Sequence, residues 1–286
     1  MKWELAWNNP LTTYLEPFDA LVGDHRTWIT LTETVRGIIS SGSLVCQRIA
    51  AHAPVLAAVK KGAQRIIRMV TGVSTKRSPQ LDATHLTAQL RTQAVAHLRA
   101  TPGDELWLIG DGSDLRKPHA KTMPDLMKVR ALGGGLVPGY RTLTVLGMTK
   151  GWRGILYHRL FSSNEAGFVS EPYEVQQALA TVSRALAELK PALPITWILD
   201  SGFDDIAVWR TIWEQQEHLV CRIAHPERLV ECADGQGGWQ ASTLAAARHQ
   251  MALVARAQTL LEVQKRGQPR AKRQSVTAEI RACRFG

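Results

Sequence analysis

Residues 195–205, ITWILDSGFDD, decide how this chain is read. Five uncharged residues rich in Ile, Thr and Trp predict a short buried strand, and the run stops at Asp200, before a glycine turn and a helix start. A buried strand that ends in an acid presents that acid at the rim of a sheet. The pattern occurs once before: Leu106 to Ile109 is an apolar run, and Gly110 leads to Asp111 and the polar turn Gly112-Ser113-Asp114. Side by side and parallel, two such strands lie roughly 4.8 Å apart, so their terminal carboxylates can share one small cation.

The totals agree with a folded, polyanion-binding chain. At 286 residues and 31.6 kDa, with 45% hydrophobic and 6% aromatic residues, the sequence can bury a core. A formal charge of +10 and a pI near 9.8 point to nucleic acid or to an anionic membrane surface. Nucleic acid is the better fit, because no uncharged run approaches the ~20 residues that a membrane span requires. The start, MKWELAWNNP, carries an acid where a signal peptide would be apolar. Cys46, Cys221, Cys232 and Cys283 are scattered without a CxxC pair, which predicts neither a zinc knuckle nor a disulfide framework and suits a reducing cytoplasm.

Outward from the two acidic strands, residues 1–100 read as a helical N-terminal domain. Val59, Ala63, Ile66 and Val70 mark one helix face, with Lys61, Arg65 and Arg68 opposite. Such a basic face is either solvated surface or a DNA contact. Ser41-Gly42-Ser43 followed by LVCQRIAAH suits the turn and second helix of a helix-turn-helix. Thr101-Pro102-Gly103-Asp104 is turn chemistry and the predicted domain boundary.

The LWLI strand and the Asp111 turn lead into a basic loop and then Gly133-Gly134-Gly135. Gly134 and Gly139 have phosphate-loop spacing, but Tyr140 stands where the lysine belongs, so this is a hairpin-side loop. RTLTVLGMT and RGILYHRLF predict two further strands. Val175, Leu179, Val182, Leu186 and Leu189 mark a helix, which ends before Pro191 and Pro194. Asp204 is placed to cap the next helix, in which Ile206, Trp209 and Trp213 point one way, and LVCRIA predicts a last strand.

Strand, strand, strand, helix, strand, helix, strand, with acids closing the first and fourth strands, resembles an RNase H-like α/β fold. In that fold a mixed sheet is flanked by helices and strands one and four are adjacent and parallel. The core would span 101–226. Residues 227–286 would form a basic β-hairpin insertion, with Leu253 to Val263 and Ser275 to Phe285 as its arms. The tip holds Lys265, Arg266, Arg270, Lys272 and Arg273, and residues 264–286 carry a net +6, which favours phosphate contact.

The segments WLIGDGSDL, ILDSGFDD, LVCRIAHPERLVE and RGQPRAKRQSVTAEIR, in this order, resemble the DDE transposases of bacterial insertion sequences, in the branch whose third acid lies in a Tyr-x2-Arg-x3-Glu-x6-Lys motif. The resemblance covers about 101–286. It implies that Asp111 and Asp200 are the first and second catalytic aspartates and ligate Mg²⁺ or Mn²⁺. It also implies that Arg222 and His225-Pro226 lie along DNA, where the family often has a lysine and this chain has Ala224.

The implied reaction is strand cleavage at a transposon end and attack of the freed 3′-hydroxyl on a phosphodiester. The implied partners are double-stranded DNA, both transposon ends and target, and further copies of the chain on that DNA, in a nucleoid-associated cytoplasmic setting. No Tyr-Arg-Glu-Lys motif occurs, and Glu227 and Glu231, the acids that closely follow the last strand, lack its neighbours. The expectation is therefore a truncated or split transposase, inactive alone. A non-catalytic transposon-end-binding fragment and an RNase H-like nuclease with a different third acid are the alternatives. Taken singly, Asp111 also suits a turn, Asp200 a helix cap, and Arg222 a surface ion pair with Glu217 or Glu227.

Overall fold

A computed structural model describes residues 10–53, 58–71, 81–101, 103–189, 193–233, 238–250, 252–263 and 272–282. Its contacts divide the chain into two compact units: Met1–Leu199 with Asp205–Val220, and Asp200–Asp204 with Cys221–Gly286.

The first unit begins with helices: α1 (10–15), a 3-10 turn (Glu16–Leu21), α2 (His25–Ser41), α3 (Cys46–Ala51), α4 (Val59–Thr71) and α5 (Ala83–Ala100). Asp24 and Asp82 start α2 and α5, each accepting two backbone N–H groups that a helix N-terminus leaves unpaired. The outer face of α4 differs from the sequence expectation. Its buried stripe is Gly62, Ala63, Ile66 and Met69, and Val59 and Val70 are exposed, because the helix is turned toward α2 and α3.

The sheet holds β1 (Leu106–Arg116), β2 (Met127–Arg130), β3 (Leu136–Met148), β4 (Arg153–Phe161), β5 (Ile195–Leu199) and β6 (His218–Cys221). The order β4-β3-β1-β5-β6 has β1 antiparallel to β3 and parallel to β5, and β2 pairs with the start of β3. Gly134 and Gly135, at φ 92° and 79°, make the β2–β3 turn, a conformation costly for any other residue. The short β2 was expected as loop, since four residues carry too little alternation to show.

β3 alternates buried and half-buried residues along the strand, which gives the sheet two unlike faces. The buried face carries Leu108, Leu143, Val145 and Leu156. Helix α6 (Glu171–Ala185) brings Leu179 and Val182 to the core, and α5 brings Val95 and Leu98. In α7 (Ile206–Glu214) the buried residues are Val208, Trp209 and Ile212. Ile206 and Trp213 are exposed, so they do not share the inward face of Trp209.

In the second unit β7 (Leu229–Ala233) and β8 (Trp239–Thr243) form one antiparallel pair, followed by α8 (Leu244–Gln250). The expected hairpin is present as β9 (Ala252–Val263) and β10 (Lys272–Ala282), in antiparallel register from Val263↔Lys272. The fold is thus mixed α/β of the RNase H-like kind, with its first long strand and the strand of ITWIL adjacent and parallel.

Candidate active site

Asp111 lies within β1, not at its end. Residues 106–110 pair in parallel with β5 as far as Gly110↔Leu199, while antiparallel pairing with β3 runs on to Arg116. The DGSD segment is therefore strand where a turn was expected, because the thirteen-residue β3 supplies partners beyond the end of β5. Gly110 lets this junction close: a Cβ there would lie 2.6 Å from Leu199 Cδ2, and that side chain would have to shift.

Asp111 is exposed, and its Oδ2 accepts the Ser113 hydroxyl at 2.8 Å. Thr142 Oγ1 in turn donates to the Ser113 carbonyl at 3.1 Å. Asp114 is no turn residue either. It accepts the Arg130 N–H at 3.3 Å and lies 3.4 Å from Arg141 Nε. Asp111 stands opposite Thr144, and Thr144 opposite His158, so one row crosses three strands. Thr144 Oγ1 is 2.9 Å from His158 Nδ1, and His158 is exposed. Sequence reasoning missed both residues, since only the register of β3 and β4 puts them beside Asp111.

Asp200 is the residue after Leu199 and belongs to the second unit, where it is exposed. Its Oδ1 accepts the Gly202 N–H at 2.9 Å and caps the 3-10 turn Ser201–Phe203. Asp204 does not cap α7. Asp205, in extended conformation, does so through the Ala207 N–H at 2.7 Å. Asp204 is instead buried: Oδ2 accepts the Ala224 and His225 N–H groups at 2.6 and 2.8 Å, and Oδ1 lies 2.7 Å from Arg228 Nη1. The turn at 200–204 directs Asp204 inward and leaves Asp205 at the helix start.

Arg222 and His225 are exposed. His225 Nδ1 is 3.2 Å from Glu227 Oε1, and the Glu227 carboxyl is held below its ordinary value, first by its own backbone N–H and then by His225. Glu217, one expected partner of Arg222, is buried, accepting Trp197 Nε1 at 2.6 Å and the Ser183 hydroxyl at 2.9 Å. Lys265, Arg266 and Arg270 lie outside the described residues, while Lys272 and Arg273 open β10 opposite Val263 and Glu262. Lys61, Arg65 and Arg68 are exposed on α4.

Among the described residues no group of three or more His, Cys, Asp and Glu is gathered as a metal site. The carboxylate oxygens of Asp111 are hard donors, and Mg²⁺ is commonly held by one or two carboxylates completed by water and substrate phosphates, so this donor type fits Mg²⁺ or Mn²⁺. Among the described residues no helix is long and apolar enough to cross a membrane.

Fold and strand order make this an RNase H-like α/β protein with an exposed carboxylate on its central strand. No protein-family model matches the sequence, and no curated protein does. Three solved structures illustrate the similarity found. A Mos1 transposase paired-end complex with left transposon end is 14% identical at TM-score 0.28, over 68% of this chain and 58% of that one. The Mos1 transposase catalytic domain with raltegravir and Mg is 14% identical at TM-score 0.27, over 51% and 65%. A piggyBac transposase synaptic complex with hairpin DNA is 13% identical at TM-score 0.32, over 73% and 46%. The chain spans less than two thirds of each. Likenesses this remote decide nothing about activity, which rests on the chain's own residues.

Proposed function

We propose that this chain is a transposase polypeptide of the DDE kind, in which Asp111 and Asp200 hold Mg²⁺ or Mn²⁺ for cleavage and 3′-hydroxyl transfer on duplex DNA. One observation carries the reading: β1 and β5 pair in parallel up to Gly110 and Leu199, and the next residue along each chain segment is an aspartate. The divalent ion, when bound, would activate a nucleophilic oxygen and stabilise the leaving one. Ser113 orients the Asp111 carboxylate by holding Oδ2, which leaves Oδ1 for a ligand. Gly110 sets the position of Asp111 by letting β1 close on Leu199. Arg222, His225 and the Lys265–Arg273 cluster are assigned to the phosphate backbone, where positive charge displaces condensed counterions.

A second reading, a DNA-binding protein without cleavage, is favoured by the capping role of Asp200. The two separate on Mn²⁺ binding, followed by paramagnetic resonance with duplex DNA present, and on nicking of that DNA. Asp111→Asn and Asp200→Asn should each weaken Mn²⁺ binding by at least about tenfold, roughly 1.4 kcal/mol. Asn retains N-cap capacity, so Asp200→Asn does not undo the turn. Unchanged Mn²⁺ binding in both variants would sink the carboxylate assignment. Metal binding without any strand cut would leave the second reading.

A further inference from the structure

Asp204 is buried, at 9% exposure, and the proposed chemistry gives it no part. Both oxygens of its carboxylate are engaged. Oδ2 takes the N–H groups of Ala224 and His225, and Oδ1 faces Arg228 Nη1. The Arg228 guanidinium grips the same residue a second time, Nη2 donating to the Asp204 carbonyl oxygen at 2.8 Å. A planar fork can hold two oxygens in this way, whereas a lysine offers a single point of charge.

Each side of the pair leads to residues of the candidate site. On one side is the turn 200–204, closed by the Phe203 N–H on the Asp200 carbonyl at 3.1 Å and by the Gly202 N–H on Asp200 Oδ1, with Phe203 buried. On the other side is the loop 222–228, which carries exposed Arg222 and His225. The Arg228 N–H donates to the His225 carbonyl at 3.1 Å. Its carbonyl accepts the Leu244 N–H at 2.9 Å, and the Pro226 carbonyl accepts the Ala245 N–H at 2.8 Å, which seats the loop on the start of α8. Residues 200–204 accordingly cluster with Cys221–Gly286 and not with the strand they follow.

We propose that Asp204 and Arg228 are positioning residues for Asp200: the pair fixes the 200–204 turn to the 222–228 loop, so the second unit sets where the metal-holding carboxylate stands. They act through the backbone, not on the ion. This deepens the transposase reading and rests on its assignment of Asp200. An ion pair kept for stability is the ordinary alternative. Buried charge pairs are weak support for stability, since desolvation offsets much of their attraction and apolar replacements are often neutral. What favours positioning is where the contacts end, on the backbone of the turn that holds Asp200 and of the loop that holds Arg222 and His225.

The test is Mn²⁺ binding to the full chain with duplex DNA present, followed by paramagnetic resonance in Asp204→Asn, Asp200→Asn and the double variant. Asn at 204 has the same shape and keeps an acceptor for the loop N–H groups, but turns an amide donor toward Arg228. Asp204→Asn should weaken Mn²⁺ binding about tenfold, the low end for outer groups that orient metal ligands. In the Asp200→Asn background the same change should cost nothing further, because the group being positioned is gone. Arg228→Lys keeps the charge and loses the fork, and should weaken binding about threefold, again only where Asp200 is present. It decides the matter if Asp204→Asn lacks the circular dichroism of the wild type. An equal loss in both backgrounds overturns positioning in favour of a general structural role. Wild-type Mn²⁺ affinity in folded Asp204→Asn overturns the role of Asp204, and in Arg228→Lys that of Arg228. If Asp200→Asn alone leaves binding unchanged, the assignment of Asp200 falls and the positioning role with it. A loss there with none from Asp204→Asn or Arg228→Lys rejects positioning and leaves the transposase reading standing.

Discussion

Glu217 ties three elements together with one buried carboxylate. It accepts from fully buried Trp197 on β5 and from Ser183 on α6, and it precedes β6. Removing the carboxylate leaves an indole N–H and a hydroxyl buried without it, so Glu217→Ala should lower unfolding free energy by about 3 kcal/mol in urea, and Glu217→Gln by roughly half as much. Glu174 behaves differently. Burial raises its carboxyl above the ordinary value of 4.5, with Arg159, 3.0 Å away, opposing. The folded state holds this proton more tightly than the unfolded chain, so its contribution is most favourable below pH 4.5 and is lost as pH rises through the folded value. Wild type should therefore lose stability relative to Glu174→Gln as pH rises from about 4 toward neutrality, read from urea midpoints. Neither carboxylate was legible as buried in the sequence. Both stand among polar residues, and only packing of α6 against the sheet encloses them.

Among the elements, β4 and β5 could be read to the residue: β5 is a short apolar run between a proline and an acid, and β4 a brief strand-forming run between Gly151 and the polar Ser162-Ser163-Asn164. β1 could not, since its second half is sustained by β3 and has a turn-like composition. Its weak point is the junction. Gly110→Ala puts a methyl against Leu199 and should cost about 1–3 kcal/mol, partly recovered when Leu199 is shortened to Val. The helix starts carry a second expectation. Hydrogen bonds from Thr27 hold the Asp24 carboxyl below its ordinary 3.8, so cap support is present above that value and fades as pH falls through the folded one. Asp24→Ala should cost about 1 kcal/mol near neutrality by thermal unfolding, and less in strong acid.

For the whole molecule, the charge map and the strand order carry the functional reading. The proposed carboxylate pair predicts that Mn²⁺ at a hundredfold excess over its dissociation constant stabilises the folded chain by about 2.7 kcal/mol. Differential scanning against EDTA measures this shift, and Asp111→Asn should cut it to about 1.4 kcal/mol or less at the same Mn²⁺ concentration. Apart from the short β2, the order of strands and helices between 106 and 224 was legible, because apolar alternation, glycine turns and prolines are local signals. Which aspartate caps α7, which face of α4 is buried, and how far β1 extends were not.

By itself the amino-acid sequence determined the RNase H-like succession of elements, the aspartates after the ITWIL and LWLI runs, and the excess of positive charge, since each of these is written in neighbouring residues. Tertiary structure alone decided the Gly110↔Leu199 register, the burial of Asp204 and Glu217, and the row from Asp111 to His158. Those features depend on contacts between segments far apart in the chain, where packing and hydrogen-bond satisfaction outweigh local preference.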